Sequence, residues 1–343
     1  IRRNFCLAGR NGPEKKMPPS LPRREFHHQP RKPKTKDLDA PELVSGEPHL
    51  RPPPSVMRPF FTAETVKTAY QSRFHFGWYG HGRQKKLASI KHLVEDSLKA
   101  VCEKQSYHLL EHEIESNVLR AIISLTPTTS PSEVTRFVKG NIATAARNEA
   151  GISDLWSRGW FCRSVGTVTN ETIREYVDRQ YEHHRAAPES LPELAAKAQY
   201  RHPGDAAVLR TSSHAAFEYN LHVVLVTGRR QQVIDLEMAE AVAAFLRQVC
   251  EKKQWMPWNI DVLADHLHLL VGAVTSESPQ NVALSLLNNV EFFVQHRYAA
   301  TLREVVETTC FQPGYYVGTV GAATTAQVKA YLVRSASGEE VER

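Results

Sequence analysis

Long hydrophobic runs are missing from this sequence. No stretch comes near the roughly 18 consecutive apolar residues of a membrane-spanning helix, and no basic-then-apolar start has the form of a signal peptide. Cysteine is scarce and scattered: Cys6, Cys102, Cys162, Cys250 and Cys310 form no C-x-x-C pair, which excludes a disulfide scaffold and a zinc ribbon. A glycine-rich phosphate loop between a strand and a helix is also missing, so nothing calls for a nucleotide cofactor. The expectation is a soluble cytoplasmic protein with reduced thiols and no membrane partner. What is present is enough chain for two domains, 343 residues of which 41% are apolar.

Net charge is +6, and its location says more than its size. Residues 1–58 hold thirteen Lys and Arg, six Asp and Glu, and eleven of the twenty prolines. Such a segment buries too little apolar surface to offset its ordering entropy, so a disordered basic tail is expected. It is either passively solvated or an unspecific electrostatic arm for nucleic acid. The chain opens on Ile1, which leaves Met17 and Met57 as candidate starts.

The remainder contains itself twice. Val101-Cys102-Glu103-Lys104 recurs 148 residues on as Val249-Cys250-Glu251-Lys252, and the same offset carries Ser130-Pro131 onto Ser278-Pro279. An offset of 147 carries Phe74-His75-Phe76 onto Leu221-His222-Val223 and Arg83 onto Arg230. After an insertion, an offset of 155 carries Val165-Gly166, Tyr176 and Arg179 onto Val320-Gly321, Tyr331 and Arg334. Collinear matches over such a span point to two diverged copies of one domain, 69–187 and 213–337. A linker at 188–212, with one short helix around Leu191 to Gln199, would join them.

Each copy reads as strand, helix, strand pair, helix, irregular stretch and a last helix. The first strands are Arg73–Tyr79 and Tyr219–Thr227, and the first helices Leu87–Glu103 and Asp235–Lys252. Ser-Pro opens the second helix in both copies, and the last helices run from Asn170 to about His184 and from Thr324 to Arg334. This order predicts an α+β fold: two tandem ferredoxin-like sandwiches, each an antiparallel sheet with helices on one face and an added C-terminal helix.

Two residue sets carry chemistry. In Asp265-His266-Leu267-His268-Leu269-Leu270-Val271, the two-residue period of a strand points both imidazoles to one face and Leu267 and Leu269 into the core. Two imidazoles suit a divalent cation and leave positions open for a phosphate. On its own the motif is weak, because an edge strand with two solvent-facing histidines would look the same. The second set is Tyr176-Val177-Asp178-Arg179-Gln180, where Tyr176 and Gln180 share a helix face one turn apart. A tyrosine can attack phosphorus, and an amide oxygen can complete a metal's coordination; taken alone, Tyr176 reads more simply as a packing residue. Basic groups follow each first strand, at Arg83, Lys85 and Lys86 and at Arg229 and Arg230. They suit a DNA backbone or an ordinary solvated turn. Trp78, Trp156, Trp160, Trp255 and Trp258 are either base-stacking platforms or core.

These motifs, with Leu155-Trp156-Ser157-Arg158-Gly159-Trp160-Phe161-Cys162-Arg163-Ser164-Val165-Gly166, resemble the single-tyrosine transposases of the insertion sequence 200/605 group and their REP-associated relatives. Those are HUH enzymes, named for two histidines around a bulky hydrophobe. The resemblance implies that His266 and His268, with Gln180, hold Mg²⁺ or Mn²⁺, and that Tyr176 forms a 5′-phosphotyrosine with single-stranded DNA near a hairpin. It also implies a nucleoid-associated site of action. Here the sequence departs from the pattern. Asp265-His266-Leu267-His268 falls on Asn117-Val118-Leu119-Arg120 in the first copy, and Gln180 falls on Ser335 in the second. Losses of this reciprocal kind fit a fused dimer with one composite site, His266 and His268 from the second copy meeting Tyr176 and Gln180 from the first. The rival nucleophile is Tyr331. A non-catalytic DNA-hairpin-binding regulator, a replication-type nicking enzyme and pairing of two chains also remain open.

Overall fold

The computed structural model describes residues 60–82, 86–172, 175, 198–303 and 308–337, with the backbone alone described at 303, 331 and 333–337. In chain order the elements are β1 (Lys67–Gln71), β2 (Arg73–Gly80), α1 (Lys86–Ser89), α2 (Lys91–Lys104), β3 (His108–Glu115), β4 (Val118–Ser124), α3 (Pro131–Ala150) and β5 (Trp156–Val165). The short strands β6 (Gln199–Arg201), β7 (Arg210–Thr211) and β8 (Ala215–Glu218) follow, then β9 (Asn220–Thr227), α4 (Leu236–Lys252), β10 (Met256–Val262) and β11 (His266–Gly272). The chain continues through α5 (Pro279–Arg297), α6 (Ala299–Arg303), β12 (Phe311–Val320) and α7 (Thr325–Ser337). The basic tail lies outside the described residues, among which no helix is long and apolar enough to cross a membrane.

Local chemistry explains the helix starts. The hydroxyls of Ser130 and Ser278 accept from the backbone N–H groups of Glu133 and Asn281, and Pro131 and Pro279 occupy the first turns where no N–H is required. Gly151, at φ 68°, ends α3 in the left-handed conformation. Val134, Val138, Ile142 and Ala146 on α3 are wholly buried, and so are Val282, Leu286, Val290 and Val294 on α5. The two stripes are one pattern displaced by 148 residues, four apolar positions at helical spacing turned onto a sheet.

There are two six-stranded sheets, ordered β3-β4-β2-β5-β8-β7 and β1-β12-β9-β11-β10-β6. Each contains four antiparallel strands in ferredoxin-like order, β3-β4-β2-β5 and β10-β11-β9-β12, so the two-sandwich α+β architecture stands. Even the irregularities repeat. The register shift between Leu109 and Glu111 in β3 recurs between Pro257 and Asn259 in β10, and that between Trp78 and Gly80 on β2 against β5 matches the one between Phe311 and Tyr315 on β12. Two expectations need correction. Residues 156–165 and 311–320 were expected to be irregular and are full strands, because the register shifts accommodate Gly159, Pro313 and Gly314 where alternation fails. Gln199, the expected end of a linker helix, instead begins β6, and Ala198 before it is a bend; residues 191–197 lie outside the described residues.

One strand from each copy is exchanged into the other's sheet. β1, at the start of the first copy, pairs in parallel with β12 of the second, Tyr70 opposite Val317. β8, the first strand of the second copy, pairs in parallel with β5 of the first, Phe217 opposite Cys162. Each sheet thus covers the other's open edge, which would otherwise present an unpaired ladder. Two hydroxyls bind the crossing. Ser164 Oγ accepts from Asn220 N at 2.9 Å and lies 2.6 Å from Val320 O, while Thr319 Oγ1 accepts from Arg73 N at 2.9 Å and lies 2.8 Å from Val165 O.

Candidate functional site

Leu267, Leu269 and Val271 of β11 are buried beneath α4 and α5, so the odd-numbered residues take the helix-covered face. His266 and His268 therefore share the opposite face, with ring centroids 5.0 Å apart. β11 runs between β9 and β10 in the sheet interior, which removes the edge-strand explanation for the pair. Both imidazoles are buried, at 3% and 5% exposure.

Each ring is gripped at Nδ1. His266 Nδ1 lies 2.5 Å from Asp265 Oδ1, and His268 Nδ1 lies 2.9 Å from Nε2 of His222 on β9. His222 and His268 stack nearly parallel, with centroids 5.2 Å apart. Burial lowers the pKa of His222 to about 4, so that ring is neutral at physiological pH. Asp261 on β10 sits in register with His268 and forms an ion pair with Arg201 of β6 at 2.5 Å. His222 was visible in the sequence only as the match to His75, and Arg201 and Asp261 gave no signal there because their meeting depends on strand pairing.

With Nδ1 of both histidines engaged, Nε2 is the nitrogen each would present to a cation. That donor set suits Mg²⁺ or Mn²⁺ only with further oxygen ligands. Among the described residues no group of three or more His, Cys, Asp or Glu side chains is arranged to hold a metal ion. The two histidines fit as a partial set, and Gln180, the expected third ligand, lies outside the described residues with Tyr176, Arg83 and Lys85.

Arg229 and Arg230 are exposed on the turn after β9, both at φ 55°. Such backbone is costly for arginine and persists only where surroundings enforce it. Here the turn is closed around them by Thr227 Oγ1 donating to Gln231 O at 2.7 Å and Gln231 N donating to Gly228 O, while Thr227 N donates to Asp265 O. Lys86 Nζ donates to Asp154 O at 2.8 Å. Trp78, Trp160, Trp255 and Trp258 are core residues, and Trp156 is half-buried with its indole bonded to Lys139 O.

On the first sheet the equivalent face has different chemistry. Val118 and Arg120 stand where His266 and His268 stand on the second, and Arg120 pairs with Glu115 at 2.8 Å and Glu113 at 3.3 Å. Helix α7 of the second copy begins where Thr325 N donates to Gly166 O, then packs on β3 and β4. Its Val328 and Leu332 meet Ile122 and Val165, and Lys329 pairs with Glu111 at 3.7 Å. The Tyr331 backbone is thus on a helix lying over the first sheet. The turn at 170–172 starts reciprocally, with Asn170 N donating to Gly321 O. Its anchor is the buried carboxylate of Glu218, which accepts from Asn170 Nδ2 and Ala322 N and pairs with Arg163 at 2.7 Å. On the second sheet Leu270 and Val320, the counterparts of Ile122 and Val165, pack among the described residues with Ala206 and Trp258.

Fold and site together define a tandem α+β protein with a buried histidine pair on one sheet. The sequence pattern of the family described as "Transposase IS200 like" matches residues 68–180 and again 215–335, more than half the chain, and the protein belongs to that family. It is similar to the transposase of insertion sequence element IS200 from Salmonella typhimurium strain LT2, 24% identical over 123 residues that cover 36% of this chain and 80% of the relative. The Salmonella typhi transposase of the same name matches equally. Among solved structures, a Deinococcus radiodurans R1 protein assigned as a transposase is similar at 19% identity and TM-score 0.31, covering 39% of this chain and all of its own. A REP-associated tyrosine transposase bound to a REP hairpin is similar at 14% identity and TM-score 0.26, covering 38% of this chain and 72% of its own.

Proposed function

We propose that this transposase cleaves and rejoins single-stranded DNA at hairpin-bearing ends, through one composite site drawn from both halves of a fused dimer, copies 69–187 and 213–337 joined by 188–212. In this reading the Tyr176 phenol oxygen attacks the scissile phosphorus. The P–O3′ bond breaks, a 3′-OH leaves, and a 5′-phosphotyrosine forms; attack by a 3′-OH then reverses the link and frees the phenol. The phenol gives up its proton on attack, since its ordinary pKa is about 10. His266, His268 and Gln180 would hold Mg²⁺ or Mn²⁺, which draws charge from the phosphate oxygens when bound. The paired strained arginines, Arg229 and Arg230, grip the DNA backbone beside Asp265, with Arg83, Lys85 and Lys86 as their first-copy counterparts. Lys86, engaged with Asp154 O, is the weakest of these.

The observation that carries the reading is the reciprocal crossing. Helix α7 starts on the first copy's Gly166 and lies over the first sheet. The matching start at Asn170, whose N–H donates to Gly321 O, supports a reading in which Tyr176 and Gln180 serve the histidines of the second copy. The same geometry disfavours Tyr331, whose helix lies on a sheet with Val118 and Arg120 in place of the pair. A Tyr176→Phe variant is predicted to lose the denaturant-resistant adduct with a hairpin-bearing single strand, and Tyr331→Phe to keep it; the opposite result would assign the nucleophile to Tyr331.

The ion-paired face of the first sheet, which lacks the histidine pair, favours a second reading, a regulator that binds DNA hairpins without cutting them. Such a protein would shift a hairpin oligonucleotide on a gel without metal and form no adduct.

A further inference from the structure

We infer that His222 is a positioning residue for His268, setting its tautomer and ring plane so that Nε2 faces a divalent cation; this rests on the reading of His266 and His268 as metal ligands. The side chains lie diagonally across two adjacent strands, His222 in register with Leu270 and His268 with Val224. Their contact is direct, Nε2 of His222 to Nδ1 of His268 at 2.9 Å, with the rings tilted by only 11°. A histidine that ligates through Nε2 carries its proton on Nδ1 and donates it to a neighbour, and such neighbours fix ligand orientation. His222 must then accept at Nε2 and hold its own proton on Nδ1. Asp265 plays the matching part for His266, through its carboxylate at 2.5 Å.

The first copy supplies an independent observation. His75 occupies the place of His222, and the residue diagonal to it is Arg120 rather than a histidine. There the same ring atom, Nε2 of His75, is buried with no hydrogen-bond partner among the described residues. A buried ring nitrogen left unpaired is costly. The position suits an imidazole whose partner is a second histidine, and where that partner is gone the bond is gone as well.

Binding of Mn²⁺ to the whole DNA-free protein, followed by calorimetry and by the electron paramagnetic resonance of the ion, tests this without any turnover. Wild type should bind, and the double variant His266→Ala/His268→Ala should not. His222→Ala should bind about 10- to 100-fold more weakly, and His222→Gln, which restores an acceptor near the lost Nε2, should recover most of that loss. Near-native binding by a folded His222→Ala would overturn the inference while leaving the metal site standing. Equal uptake by wild type and the double variant would overturn the metal site itself. The tautomer can also be read in unmutated protein from long-range ¹H–¹⁵N correlations: Nδ1–H on His268 is expected, and Nε2–H would contradict the assignment even if His222→Ala fails to fold.

Discussion

His75 carries a visible cost of the first copy's divergence. Burial, then the charges of Arg163 and Arg120, pull its pKa down to about 4. In the unfolded chain the ring takes up a proton near its ordinary value of 6.5. Between those values the unfolded state binds a proton that the folded state refuses, so stability falls as pH drops from 6.5 toward 4 and changes no further below that. At about 1.4 kcal/mol per pH unit the whole effect is about 3 kcal/mol. His75→Leu gives up no bond at Nε2 and should flatten the slope: urea unfolding at pH 7 and pH 4.5 is predicted to show a smaller acid loss in the variant, by about 1–3 kcal/mol. An unchanged acid loss would mean that His75 titrates normally. At this scale the sequence was informative where period alone decides orientation, as at His266 and His268. It was silent on Asp261 and Arg201, because no local pattern encodes which strands become neighbours.

Among the elements, the exchanged strands have the largest mechanical consequence. Because β1 completes the second sheet and β8 the first, neither copy can lose its edge without exposing the other's core. One cooperative unfolding transition is therefore predicted for residues 60–337 despite the two copies, and two resolved transitions would contradict the exchange. Ser164→Ala and Thr319→Val each leave a backbone N–H and carbonyl groups at the crossing without their hydroxyl partner. Each should cost about 1–3 kcal/mol in denaturant unfolding, with a larger loss in the double variant; losses below a few tenths would show that the hydroxyls are not binding the halves. The Ser-Pro helix starts were legible because a cap and a fixed φ act locally. The strands β5 and β12 were not, since glycine, proline and a register shift break their alternation. Nor was β1, whose partner lies some 250 residues away in sequence.

For the whole molecule, the account is of one site assembled from two halves that each kept a different part. The repeat made the duplication readable, because collinear offsets survive divergence that erases individual motifs. Which half faces which was not readable, since that depends on how each terminal helix crosses, and the crossing is a property of the paired sheets. Direct mapping of the covalent link tests the claim. After reaction with a hairpin-bearing single strand and divalent cation, trypsin should release the nucleotide-bearing tyrosine in the peptide 175–179, Glu-Tyr-Val-Asp-Arg, or in 330–334, Ala-Tyr-Leu-Val-Arg. Mass spectrometry is predicted to find the DNA remnant on 175–179 alone, and to find none when His266 and His268 are both alanine. A remnant on 330–334 would contradict the composite site.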